Sequence, residues 1–256
     1  MATPTLTSHI SPLHLTPEPL TPDSFAPFGT AIVPPLPHDL IAKPSLSSLQ
    51  QQHGAPTPVL ANQSTAIKYN PISPLQNDYP GSPSGQPSSA QMSMFCCFPR
   101  ELRLASTTMA LFDVRILERH PYTTQTFTPL NSASEDQQIA NEPLYLVIVA
   151  PTLKGQTIAA AVKNPTTRIA ESVTIIDPPD LSKVKAFVAR RGQAVTYGAG
   201  TWHAPMVVLG KRRVDFVVVQ FANGVAAEDC QEVAFGEGIE VEVEVDSNEG
   251  NRLEKL

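Results

Sequence analysis

From Met92 to about Phe221 the chain is a succession of short apolar runs, each stopped by a turn signal. That rhythm limits the fold more than any other feature. The runs are too short for the several turns of a buried amphipathic helix, and each has the length of a β-strand. The strands read from it are 92–98, 112–120, 125–130, 144–150, 184–190, 193–197, 204–209 and 214–221. A further run, Ile239 to Val245, alternates Ile or Val with Glu, which predicts a one-sided strand with an acidic outer face at a sheet edge. So many strands with so little helix predict an all-β barrel or sandwich. Helix is expected in only two places. Thr21 to Gly29 reads as one short helix, with Thr21 as cap, Pro22 in the first turn and Gly29 as the stop. Asp180 to Lys185 reads as a single turn leading into a strand.

The first hundred residues have another texture and hold 18 of the 26 prolines. Residues 34–58 and 71–90, rich in Pro, Ser, Gln and Gly, read as insertions or mobile loops on either side of a short ordered island, Val59 to Tyr69. The expectation is one catalytic domain over 1–256, with these two insertions and a frayed acidic C-terminal tail. At 256 residues and 41% hydrophobic content the chain can bury a substantial core. A net charge of −6 with no basic stripe argues against nucleic acid as a partner. The longest apolar run, Leu144 to Pro151, is too short to span a bilayer, so no membrane partner is expected. No secretory signal pattern opens the sequence. Three cysteines, of which Cys96 and Cys97 are adjacent, lack zinc-site spacing and suit a reducing compartment. Cys96 and Cys97 read as small buried hydrophobes in a strand. A cytoplasmic location is expected, because the final Glu254-Lys255-Leu256 lacks the small first residue of a peroxisomal tripeptide.

Two distant stretches carry the chemistry. In the strand 112–120, Val114, Ile116, Glu118 and His120 share one parity, so period-two alternation turns a carboxylate and an imidazole toward the core face. Buried there, they need partners or a ligand. Glu118-x-His120-x4-Gln125 forms a first motif. Gly192-x5-Gly198-x-Gly200-x2-His203 forms a second, in which glycines permit the tight turn that swings the next strand, with His203, back toward the first motif.

These two spacings resemble those of the metal-binding cupins, which are small jelly-roll barrels. The ligand types are altered, and Gly198 stands where proline is usual. The resemblance implies a cupin-like jelly-roll β-barrel with a few short helices. It is closer to the ureidoglycolate lyase family, once called ureidoglycolate hydrolases. The residues that carry this are Leu117-Glu118-Arg119-His120-Pro121, Thr124-Gln125-x-Phe127-x-Pro129-Leu130, Tyr145 to Ala150, Ala186-Phe187, Val195-x-Tyr197, Gly200-x-Trp202-His203-x-Pro205 and Asp215-Phe216. Near the start, Phe25-Ala26-Pro27-Phe28-Gly29 and Asn62-x-x-Thr65-Ala66-x-x-Tyr69 also fit. Both insertions fall outside the match. The chain departs from bacterial members at Cys96, where they carry an arginine, and at Lys68-Tyr69, where they carry Arg-Tyr.

The resemblance implies cleavage of ureidoglycolate to glyoxylate and urea in allantoin breakdown. That chemistry needs groups that move protons, hydrogen bonds to the urea portion and a cation for the carboxylate. His120 and His203 would handle protons with Glu118 orienting or sharing that role, Gln125 and Asn62 would bind the urea portion, and Lys68 or Arg100 would meet the carboxylate. Trp202 and Tyr145 would wall the pocket. Glu118, His120, Gln125 and His203 are also the candidate ligands of a divalent ion, the one cofactor the pattern suggests. Plainer roles stand beside these: an ion pair of Glu118 with Arg119, surface cations at Lys68 and Arg100, a core position for Trp202. The competing functions are a metal-dependent cupin oxygenase or isomerase, and a non-catalytic cupin that binds a small carboxylate. A homodimer is the expected assembly.

Overall fold

The computed structural model describes residues 3–7, 13–37, 39–49, 56–130, 143–163, 167, 169–236 and 238–245. The protein is built almost wholly of strands. The largest sheet runs, from edge to edge, Ala170–Ile176, Thr157–Lys163, Thr5–Leu6, Gln231–Ala234, Ile116–Arg119, Trp202–His203, Pro143–Ala150, Lys185–Arg190 and Glu18–Pro19, with Val207–Val208 also paired to Pro143–Ala150. A five-stranded sheet runs Gly29–Ile32, Ala194–Tyr197, Gln125–Pro129, Val214–Ala222 and Ser89–Cys97. A four-stranded sheet runs Leu13–Leu15, Ile239–Glu244, Met109–Asp113 and Arg103–Leu104. Among the described residues the hairpin Val59–Ala61 and Ala66–Lys68 pairs only with itself. Among the described residues each sheet has two free ends, so the arrangement is jelly-roll-like layers rather than a closed ring of strands.

The large sheet is covered on both faces, which explains the unbroken apolar run Leu144 to Ala150. Tyr145, Val147 and Val149 pack against Phe127, Val195, Tyr197 and Phe216 of the five-stranded sheet. Leu146, Ile148 and Ala150 face the other way and share a core with Phe112, Ile239 and Val241 of the four-stranded sheet. Each large apolar side chain so buried contributes about 1.5–3 kcal/mol.

Several sequence expectations are corrected. The strand expected over 112–120 is two, Met109–Asp113 and Ile116–Arg119. Val114 donates to Ile239 and Arg115 accepts from Phe235, so the break resets the parity. Val114 therefore joins Leu117 in one core while Glu118 turns to the opposite face. Ile239–Glu244 is interior to its sheet, between Leu13–Leu15 and Met109–Asp113, although its glutamates do face outward. Residues 71–90 are mostly exposed loop, as expected, but two of them, Tyr79 and Ser82, are buried, and Asn77 bridges Thr123. Cys96 is exposed and Cys97 half-buried. Thr21 caps the short helix Pro22–Phe25 as expected, and the turn after Asp180 is a 3-10 helix, Leu181–Lys183. Of the segment 34–58 the structure shows one helical turn, Leu46–Leu49, with 38 and 50–55 outside the described residues. The acidic tail beyond 245 also lies outside them.

Candidate active site

Strand pairing brings the two motifs together. Glu118 lies directly opposite His203 on neighbouring antiparallel strands, and His203 lies opposite Val149 on the next. Cross-strand neighbours share a face, so both polar side chains enter the layer between the large and the five-stranded sheets. The glycines act as the spacing requires. Gly192 and Gly200 both have φ of 78°, a conformation only glycine adopts cheaply. Gly200 N–H then donates to the His120 carbonyl at 2.8 Å, a direct backbone link between the motifs.

Both imidazoles are held in the same way. His120 Nδ1 lies 2.6 Å from the Asp229 carbonyl oxygen, and His203 Nδ1 lies 3.0 Å from that of Thr201. A carbonyl only accepts, so Nδ1 carries the hydrogen on each neutral ring and Nε2 carries the lone pair. The two rings are 5.5 Å apart, and Tyr197 stacks on His203 at 3.9 Å. Glu118 Oε1 is 3.5 Å from His203 Nε2, and Cys230 Sγ donates to Glu118 Oε2 at 3.9 Å. Gln125 is buried and donates its amide N–H to Gln220 Oε1 at 2.7 Å.

Three buried acceptors here, His120 Nε2, His203 Nε2 and Gln125 Oε1, have no hydrogen-bond partner among the described residues. Each such group costs about 1–3 kcal/mol of desolvation. A cluster of them on the layer that holds Glu118 marks a site built for a ligand rather than for stability.

The electrostatics agree. Burial pushes the His120 imidazole below its ordinary value and the charge of His203 pushes it further, against the Asp229 carbonyl, Glu118 and Gln125. His120 is therefore neutral at pH 7. Burial would raise the Glu118 carboxyl, but the adjacent imidazoles of His203 and His120 and the Cys230 thiol outweigh it and hold the carboxyl below the usual range. The site thus presents a neutral His120 imidazole, its Nε2 without a partner among the described residues, beside an ionised carboxylate. Burial, then Glu118, pushes the Cys230 thiol up to about 12, so it stays a thiol.

A groove of about 430 Å³ opens onto Glu118 and is lined by Phe95, Cys97, Phe98, Pro99, Arg100, Phe127, Pro205 and Met206. Among the described residues that line it, Arg100 is the one cation.

The structure brings together Glu118, His120, His203 and Gln125, with Arg100 in the groove that Glu118 lines. It leaves four expected contacts elsewhere. Asn62 is exposed at the turn of the separate hairpin, with φ of 49°, and Lys68 is exposed at that hairpin's end. Neither lines the groove. Trp202 is fully buried on the face opposite its neighbour His203, where its Nε1–H donates to the Asp177 carbonyl at 3.0 Å and Arg119 stacks over its ring at 4.9 Å. It is a core residue, and alternation along the strand is the reason. Arg119 lies on that back face too and donates to Gln231, so it does not pair with Glu118. Tyr145 is a core residue four positions along the strand from Val149, roughly 13 Å away at strand spacing, and its hydroxyl donates to the Gln193 carbonyl.

The residues that sequence reasoning missed are Tyr197, Gln220, Asp229 and Cys230. Tyr197 sits in a matched motif, yet nothing in the motif says that its ring stacks on His203. Asp229 acts on His120 through its backbone carbonyl, which leaves no side-chain signature.

Comparison with known proteins identifies the family. The ureidoglycolate lyase family profile matches residues 12–242. The chain is 32% identical to the ureidoglycolate lyase of Schizosaccharomyces pombe over 222 residues, 87% of this chain and 92% of that protein. It is 34% identical to that of Saccharomyces cerevisiae over 187 residues, 70% of this chain and 78% of that protein. A shorter match, 33% over 108 residues, links it to the Burkholderia mallei enzyme, covering 42% of this chain and 43% of that protein. With the family profile covering most of its length and two relatives above 30% identity, the chain belongs to the ureidoglycolate lyase family.

Proposed function

We propose that the protein cleaves ureidoglycolate to glyoxylate and urea. The observation that carries the site assignment is the pair of unpartnered Nε2 atoms, on His120 and His203, flanking the ionised Glu118. In ureidoglycolate one carbon bears a hydroxyl, a carboxylate and a urea nitrogen. The O–H bond breaks as a C=O bond forms, and the C–N electron pair leaves with the urea nitrogen, which takes a proton. His203 Nε2 receives the hydroxyl proton, and Glu118 stabilises the imidazolium so formed. The proton then passes to the departing nitrogen, which shares a carbon with the oxygen that lost it, so no net proton is consumed. His120, neutral, accepts from a urea N–H and holds that group in place, with Gln125 Oε1 as a second acceptor. Arg100 meets the carboxylate in the groove. Buried Phe127 and Met206 supply the apolar wall that keeps water from the reacting carbon.

The same donors fit a divalent ion. Ligand atoms of Glu118, His120 and His203 lie within 4.8 Å of one another, and Gln125 Oε1 adds an oxygen. Nδ1–H bonds to backbone carbonyls are also how metal-binding histidines are commonly oriented. Such an ion would polarise the substrate hydroxyl and make it more acidic.

Assembly as a homodimer is part of the proposal. Among the described residues Ser89–Cys97 is an edge strand with one unpaired side, and Met92, Met94, Phe95 and the following Phe98 are exposed. Three free thiols suit a reducing, cytoplasmic setting. The test of the reaction is its product balance. Incubation with ureidoglycolate should release urea and glyoxylate in equal amounts. Direct release of ammonia would refute the lyase reading in favour of a hydrolytic one.

A further inference from the structure

The proline-rich segment that follows the hairpin contributes no residue to the site described above, and no proposed step uses it. It packs against the two backbone stretches on which the site's acceptors depend. Asp78 N–H donates to the Tyr122 carbonyl at 2.7 Å and Gln76 N–H to Thr124 Oγ1 at 3.0 Å. This ties the segment to the turn between His120 and Gln125. Tyr79, 1% exposed, donates its hydroxyl to Asp229 Oδ1 at 2.6 Å. Ser84 donates its N–H and its hydroxyl to the two Glu228 oxygens, each at 2.7 Å. Asn223 N–H donates to the same Asp229 Oδ1 at 2.9 Å, and Gly224 N–H donates to Asp229 Oδ2 at 2.8 Å. Asp229, fixed in this way, presents the carbonyl that accepts from His120 Nδ1 at 2.6 Å.

We infer that Tyr79 and Ser84 are positioning residues: the segment Asn77–Ser84 braces the Asp229 carbonyl and thereby fixes the His120 tautomer that leaves Nε2 free. The physical reason is that a neutral imidazole chooses its tautomer by the partner each nitrogen finds. With the carbonyl held in line with Nδ1, the hydrogen sits there. If that turn is loosened, the hydrogen redistributes to Nε2, and the lone pair is lost from the reacting space. Two adjacent carboxylates, buried Glu228 and half-buried Asp229, anchor the turn through donors from the segment (Tyr79 and Ser84) and from Asn223 and Gly224, so removing the segment would leave both carboxylates short of donors. The segment is a brace behind the site rather than a lid over it. The kinetic half of this inference rests on the lyase reading; the tautomer half does not.

The test uses the full chain with 15N-labelled histidine. The ring 15N shifts give the protonated nitrogen of His120 without substrate, and steady-state kinetics give kcat and KM. Wild type should show His120 protonated at Nδ1. Tyr79→Phe should show a mixture and lose roughly tenfold in kcat with KM within about twofold, the range expected when an outer hydrogen-bond partner is removed. Val241→Ala, in the core on the far side of the large sheet, supplies a control of reduced stability and should keep both the tautomer and kcat. If Tyr79→Phe does not fold, Ser84→Ala carries the same comparison with a smaller effect. A single Nδ1–H tautomer and full kcat in the folded brace variant would overturn the inference. Equal losses in Val241→Ala would overturn it as well. Absence of turnover in wild type would count against the lyase reading and leave the tautomer result to decide the brace.

Discussion

Replacing Gln125 by leucine should make the protein more stable and less active. Gln125 is 3% exposed. Its Nε2–H makes one hydrogen bond, to Gln220 at 2.7 Å, while its Oε1 is buried with no partner. Leucine is close in volume, so little packing changes. The substitution loses one side-chain hydrogen bond, about 1 kcal/mol, and removes an unsatisfied buried acceptor worth about 1–3 kcal/mol. Gln220 is half-buried, so water replaces its lost donor. The balance is a gain of about 1 kcal/mol, or a rise in Tm of roughly 2–4 °C for a chain of this size. Turnover should fall about tenfold or more, because an acceptor for the substrate or an ion has gone. Differential scanning calorimetry with a chelator present, beside ureidoglycolate kinetics, reads both effects. A loss of about 2 kcal/mol or more, or unchanged turnover, would show that Gln125 is a structural residue and that its carbonyl is satisfied in solution.

Stability should fall with acid. The His120 imidazole is held below its ordinary 6.5 and the Glu118 carboxyl below its ordinary 4.5, so the unfolded chain takes up each proton first. Their contribution is therefore complete above about pH 6.5. It is lost as pH falls through the folded value of His120, and again below 4.5 through that of Glu118. Urea midpoints measured between about pH 8 and pH 4 check this, and a midpoint that rises on acidification would contradict it. Arg100→Ala should raise KM about tenfold or more, since a charge-assisted contact is lost, whereas Lys68→Ala and Asn62→Ala should leave kcat/KM within about twofold; steady-state kinetics on the three variants separates them. A divalent ion present at 100 times its Kd should stabilise the wild type by about 2.7 kcal/mol, and this shift should vanish in His120→Ala and His203→Ala when followed by thermal unfolding.

The core of the site was legible because strand parity and loop glycines are local signals. Alternation turned Glu118 and His120 to one face, and Gly192 and Gly200 marked the turn that returns His203. Alternation alone cannot say which side of a two-faced sheet holds the chemistry, and this is where Trp202 was misplaced. It neighbours His203 in sequence and therefore faces the other core. The break at Val114 and Arg115 was hidden because both flanking pieces are apolar and strand-like. Asn62 and Lys68 followed from family resemblance, yet their hairpin pairs with neither large sheet. The strands Thr157–Lys163 and Gln231–Ala234 escaped notice because alanine and glutamine carry little β preference. The contacts of Tyr79 with Asp229 and of Gln125 with Gln220 join residues 150 and 95 positions apart. No local pattern encodes such pairs; they appear only once the sheets are assembled.

The central claim is that His120 and His203, gathered around Glu118, cleave the C–N bond of ureidoglycolate. Its most direct test is the rate of urea release by His120→Ala and His203→Ala, each first shown by circular dichroism to be folded. The account predicts that His203→Ala loses about 10²–10⁴-fold in kcat, the range of general acid–base catalysis, and that His120→Ala loses at least tenfold. Full turnover by both variants would contradict it.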